Sequence, residues 1–176
     1  MALSKPTNGS NADYAARIGL LFDAFNNGNY AFPATQVPSA DANTLDDYEE
    51  GTWTMTIPFG GGTTGQTSSG NTGRYTKVGD RVLINGQNTL SAKGSSTGDA
   101  TVGGLPFAVR NNSDALAALT VRVQVVTFAD YPQLRTVIGT STLALTEVTN
   151  AGNLSTLTEA DFANTSTVCI GGHYSV

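Results

Sequence analysis

The 176-residue chain is poor in the residues that most often carry chemistry. Its one cysteine, Cys169, excludes an intrachain disulfide, and its one histidine, His173, leaves no histidine cluster for a structural zinc site. Charged residues make up only 13%, and nine Lys and Arg against fourteen Asp and Glu give a formal net charge of −5. The basic residues are scattered singly, so the footprint of a nucleic-acid binder is missing and no nucleic-acid partner is expected. No run approaches the roughly 20 apolar residues of a membrane span, so no membrane insertion is expected. The opening MALSKPTNGSNADY has no apolar core, and no secretory signal is expected.

Catalytic and cofactor motifs are scarce too. There is no G-x-S-x-G nucleophile elbow. The loop Gly60–Gly73, GGGTTGQTSSGNTG, lacks the lysine and the following helix of a phosphate cradle and is read as a hairpin connection. The acidic run Asp46, Asp47, Glu49 and Glu50 lacks the spacing of a Ca²⁺ loop. Ion pairing with Arg74 or Lys77, within one chain or between copies, is its expected use. No metal, no cofactor and no catalytic residue are assigned.

Threonine, serine, asparagine and glycine are abundant instead. Low charge with many β-branched residues argues against disorder and for an all-β chain with many turns. One helix is expected, over residues 11–27, with Ser10 and Asp13 at capping-box spacing and Gly28 as its stop. Tyr14, Ile18, Leu21 and Phe25 recur at steps of 4, 3 and 4, a coiled-coil seam. A helix of about 15 residues is marginal alone. Self-association through that seam is preferred to packing on the chain's own sheet. Residues 1–10 read as an extended arm, residues 1–30 together as arm and helix, 31–51 as a linker, and 52–176 as a β domain.

Within that domain Thr52–Phe59 alternates around Trp53, Met55 and Ile57, and Trp53 is expected in the core. Gly73–Asn88 is a strand pair about a Gly79-Asp80 turn. Pro106 disfavours a central strand at the end of Ala100–Val109. Ala117–Phe128 is the most apolar segment and is expected to be the most buried strand. Arg135–Thr149 alternates through Val137, Ile138, Leu143 and Leu145, Asn150–Asn164 reads as loop, and Thr165–Val176 as the closing strand. Cys169, between Val168 and Ile170, is expected as a buried, inert thiol. Seven or so short strands point to an antiparallel β-sandwich or jelly roll.

The stretch Phe32–Trp53, FPATQVPSADANTLDDYEEGTW, resembles a linker of tailed-bacteriophage tail fibre and tailspike proteins, in which FPATQ precedes NTLDDYEEGTWTP and a C-terminal β-domain follows. Met55 stands where that pattern ends in proline. GRYTKVGDRV (Gly73–Val82), GLPF (Gly104–Phe107), LTEADF (Leu157–Phe162) and IGGHY (Ile170–Tyr174, often FSGTY in the family) match in the same order. The resemblance covers residues 32–176 and implies a homotrimeric β-sandwich head of a virion fibre, one that binds host-surface glycans or folds the fibre ahead of it. Family members have long shafts, whereas about 30 residues precede the linker here. The expectation is therefore a short fibre whose arm docks on a capsid or a tail, with a capsid head fibre or decoration protein as one alternative and a purely structural trimerisation cap as another.

A sugar offers apolar C–H faces and many hydroxyls, so its site combines an aromatic platform with polar neighbours. Tyr131, in FADYPQLR beside Asp130, Pro132 and Gln133, is the best exposed platform. Asp130, Tyr131 and Gln133 are the glycan-binding candidates, and Tyr14, Ile18, Leu21 and Phe25 the trimer-interface candidates. His173 reads as an ordinary strand residue, with a ring of three on a trimer axis as the sharper alternative. A small polysaccharide depolymerase using paired carboxylates is the enzymatic rival.

Overall fold

Trp53, Met55, Ile57 and Phe59 are buried, and Thr52, Thr54, Thr56 and Pro58 between them are not. A period of two is what a strand with one face on a core produces. The computed structural model describes residues 47–176. The arm, the seam Tyr14, Ile18, Leu21 and Phe25, and Asp46 lie outside the described residues. The described chain is mainly β, with strands β1 (Tyr48–Thr54), β2 (Thr67–Gly70), β3 (Thr72–Val78), β4 (Arg81–Ala92), β5 (Thr101–Gly103), β6 (Ala118–Val126), β7 (Tyr131–Thr136), β8 (Thr142–Val148), β9 (Leu154–Thr156) and β10 (Phe162–Ser175). All are paired antiparallel, in the order β1-β3-β4-β10-β6-β7-β8-β5, with β2 on β4 and β9 on β8. β1 begins at Tyr48, inside the stretch 31–51 read as linker.

Two segments change partner along their length, and each makes a corner. β6 pairs with β10 through Thr120–Gln124 and with β7 through Ala118 and Leu119. Residues 48–59 do the same at the other end. Tyr48–Thr54 pairs with β3, and then Thr56 and Gly103 exchange two N–H···O bonds of 3.0 Å, while the Thr101 N–H donates to the Pro58 carbonyl at 3.0 Å. The last strand of the order is thereby tied back to the first, around one apolar cluster fed by both halves of the sheet.

The crossing leaves two carbonyls without a neighbouring strand, and side chains supply the donors. The buried Asn88 amide donates to the Met55 carbonyl at 2.6 Å, and Gln66 Nε2 donates to the Ile57 carbonyl at 2.9 Å. Asn88 Oδ1 in turn accepts from the Ser68 hydroxyl at 3.0 Å, so this buried amide is satisfied at both ends. Trp53 lies over two glycines. A Cβ on Gly73 would stand 2.2 Å from its indole nitrogen and one on Gly86 3.0 Å from its ring, so close approach demands glycine at residue 73. Trp53 Nε1 donates to the Asn85 carbonyl at 3.2 Å, which gives the buried indole its partner. The Gly79-Asp80 turn is as expected, with glycine at the first central position and φ +56.

Several expectations need correcting. Ala117–Phe128 is not the most buried strand: in β6 only Leu119 is buried, while Thr120, Arg122 and Gln124 face outward. Leu119, Val121 and Val123 share one face and Thr120, Arg122 and Gln124 the other, so the run is two-sided. The most buried strand is β8, where Leu143 to Thr146 are all buried and Leu143 and Leu145 join the apolar cluster. Arg135–Thr149 is two strands, β7 and β8, divided by a turn in which Gly139 takes φ +72. Ten strands replace seven because β2, β5 and β9 have only three or four residues each, too few to show a period. β2 and β9 lie in stretches read as loop.

The closing strand β10 runs between β4 and β6 and ends in the fully buried Tyr174. Its hydroxyl donates to the Phe107 carbonyl at 3.0 Å and accepts the Phe107 N–H at 3.4 Å. Burial pushes this phenol from the ordinary 10.0 up to about 12, and the N–H aimed at its oxygen offsets part of that rise. The folded chain thus holds this proton more tightly than the unfolded chain. The stabilisation is complete below pH 10 and is lost as pH rises through about 12. Unfolding midpoints measured across that window should fall, and the fall should be smaller in Tyr174→Phe. At neutral pH that variant should lose about 0.5–1.5 kcal/mol through its missing hydrogen bonds.

Candidate functional site

β7 points Leu134 and Thr136 into the core and Tyr131, Gln133 and Arg135 outward. In the register Tyr131 stands opposite Val148, and Val148 opposite Leu154. Gln133 stands opposite Thr146, and Thr146 opposite Thr156. Directly opposed residues share a face and lie about 4.5–5.5 Å apart at Cβ. The outward face therefore carries an apolar row, Tyr131–Val148–Leu154, beside a polar row, Gln133–Thr146–Thr156. Tyr131 is 63% exposed and Leu154 52%.

Thr146 departs from its neighbours. It is fully buried, and among the described residues its hydroxyl has no hydrogen-bond partner. A buried donor left unmade costs about 1–3 kcal/mol. The bend ahead of Tyr131 is pinned from the other side of the strand. The N–H groups of Ala129 and Asp130 donate to the Glu147 carboxylate at 2.8 and 3.3 Å, and Glu147 stands opposite Pro132. Of the three candidates, Tyr131 and Gln133 thus share the outward face of a strand, while Asp130 sits half-buried in the bend. Thr146, Val148, Leu154 and Glu147 were not identified from the sequence, since only the strand register brings them to Tyr131.

The other outward face lies on β1, β3, β4 and β10. Within the chain, the buried Asp47 and Lys77 form an ion pair, and Lys77 Nζ lies 5.5 Å from the Phe107 ring centre. Glu49 accepts the Tyr75 hydroxyl at 2.5 Å, and Glu50 accepts that of Tyr48. These hydrogen bonds, then burial, then the carboxylate charge raise both phenols above the ordinary tyrosine range. Arg74, the other expected partner of the acidic run, makes no ion pair among the described residues. Two shallow depressions flank it. One, of about 400 Å³, is lined by Arg74, Thr76, Leu83, Asn85 and Gly172 among others. The second, of about 380 Å³, is lined by Glu50, Thr52, Arg74 and Thr76 among others.

Trp53 is in the core, as expected. Cys169 is not buried. Val168 and Ile170 turn inward, so the thiol between them turns outward and is half-exposed, 3.5 Å from Gln87 Oε1 and 3.8 Å from Arg122 Nη1. His173 is exposed opposite Leu83. Among the described residues no three His, Cys, Asp or Glu side chains converge as a metal site, and no helix is long and apolar enough to cross a membrane. Comparison with protein-family models, curated proteins and solved structures found no match to this chain.

The unpartnered Thr146 hydroxyl generates a test. Thr146→Val removes it at nearly constant shape and should raise stability by about 1 kcal/mol. The urea midpoint is expected to rise with an unchanged m-value. An equal or lower midpoint would show that the hydroxyl is hydrogen-bonded in solution.

Proposed function

We propose that the chain is a non-enzymatic virion protein of a tailed bacteriophage. In this reading it is a homotrimer with a β-sandwich head. Residues 1–10 dock on the capsid or tail, the helix bearing Tyr14, Ile18, Leu21 and Phe25 joins the copies, and the head holds a host-surface glycan. The virion assignment is supported by the ordered resemblance of residues 32–176, from FPATQ to the closing IGGHY.

The observation that carries the adhesive role is the Tyr131 face. A platform 63% exposed continues into Val148 and Leu154 and adjoins the Gln133 amide. Apolar surface with a few placed polar groups is the composition of a small-ligand site. It suits recognition of a sugar ring, whose two chemistries it matches. Sites of this shallow kind are weak singly and gain from being displayed in three copies.

Tyr131→Ala tests the reading. Each site should weaken about tenfold, the equivalent of about 1.4 kcal/mol. Glycan binding or particle adsorption should fall, while light scattering still reports a trimer and the melting temperature holds. Unchanged adsorption removes Tyr131 from the site, and a lowered melting temperature makes it a packing residue. A wild-type monomer at micromolar concentration contradicts the trimer. Release of oligosaccharide by the wild type overturns the non-enzymatic reading.

A further inference from the structure

We infer that Arg74 and the two depressions beside it form a second sugar site, one selective for carboxylate-bearing units such as uronic acids. The inference rests on the reading of the head as a glycan binder and assigns a ligand class to a different face. The register places Arg74 between Thr52 and Asn85 across β1, β3 and β4, and the neighbouring row runs Glu50, Thr76, Leu83, His173. Arg74 therefore stands at the shared wall of both depressions.

The charge state of this wall sets the selectivity. The guanidinium is exposed and makes no ion pair among the described residues, although Glu50 lies on the same face of the adjoining strand β1. Among the described carboxylates of that run, Asp47 pairs with Lys77 and Glu49 accepts the Tyr75 hydroxyl at 2.5 Å on the opposite face of the strands, while Glu50, on the face of Arg74, accepts the Tyr48 hydroxyl through one oxygen. The guanidinium fork makes no ion pair with Glu50 and is open to an outside anion, and its geometry matches a carboxylate through two parallel hydrogen bonds.

The surroundings fit the rest of a sugar. Asn85 Oδ1 accepts the Arg74 backbone N–H at 3.3 Å, which leaves the amide NH₂ of Asn85 as a donor on the same face. Thr76 adds a hydroxyl. Leu83, 51% exposed, offers an apolar wall for a C–H face, and Gly172 contributes backbone alone. The second depression holds Glu50 and Thr52, an acceptor and a hydroxyl for a neighbouring unit of the chain. The net charge of −5 repels a polyanion at long range. Salt screens that repulsion beyond about 8 Å in physiological buffer, so the short-range pairing at Arg74 decides.

The test uses the full chain with a galacturonate trisaccharide and its methyl ester, a probe of the same shape without the charge. Calorimetric titration should show the acid binding at least tenfold more tightly than the ester. Arg74→Ala should lose at least tenfold of the acid affinity, with Arg74→Lys between it and the wild type, and Tyr131→Ala should leave it unchanged. Arg74 is exposed, so equal melting temperatures are expected for all the Arg74 variants. Equal binding of acid and ester, undiminished binding by Arg74→Ala, or no binding of the acid overturns the inference. Acid binding that depends on Tyr131 and not on Arg74 also overturns it, while leaving the Tyr131 reading intact. Loss of Tyr131-dependent adsorption of particles with Arg74-dependent acid binding retained would remove the first site and keep the second.

Discussion

The change of partner at Met55 is the constraint on which the rest of the structure depends. A strand has one donor–acceptor edge on each side. Up to Thr54 the chain uses one edge against β3, and from Thr56 it uses the other against β5. Four apolar side chains cross with it into the centre of the core. The backbone groups stranded by the switch would cost their full desolvation if left unmade. The amides of Asn88 and Gln66 and the carbonyl of Asn71, which accepts the Met55 N–H at 2.8 Å, take them up. Without this segment the sheet would have two free edges, and its first and last strands would have nothing to hold them together.

Closing the sheet in this way sets what the molecule can show to a partner. Every strand that buries one side displays the other, so the outward faces are by-products of the core pattern until particular residues make them specific. On β7–β9 the display is aromatic and apolar beside the Gln133 amide. On β1–β4 it is a guanidinium between two hollows. Both carry a departure from local consistency: among the described residues, the buried Thr146 hydroxyl makes no hydrogen bond and Arg74 makes no ion pair beside the acidic run. Such departures are expected where a sequence serves binding as well as folding. The two faces differ in charge and in apolar content, and the two proposed sites divide along that difference.

Much of the fold was legible because its signals are local. The alternation of Thr52–Phe59, the Gly79-Asp80 turn and the burial of Trp53 all follow from neighbours in sequence. What was not legible depends on strand pairing rather than on local pattern. β9 is three residues with no period of its own and exists because Val148 pairs with Leu154. Cys169 was misread because its flanks are apolar. In a strand the flanks share the opposite face, so apolar neighbours on both sides argue for exposure. β6 looked most buried by composition, yet between β10 and β7 it turns Thr120, Arg122 and Gln124 to solvent. At the site, Tyr131 and Gln133 were legible as an exposed aromatic with a polar neighbour. Thr146 and Leu154 were not, because register is fixed by the whole sheet.

The central claim, that residues 55–59 hold the two halves of the sheet as one cooperative unit, is tested most directly by native-state hydrogen exchange. The amides to follow are Met55, Thr56, Thr101 and Gly103, which make the bonds of the crossing. The account predicts that they exchange only through global unfolding, with the same free energy and the same denaturant dependence as the slowest amides of β8 and β10. Exchange of these four amides through a smaller local opening, while β8 and β10 stay protected, would contradict it.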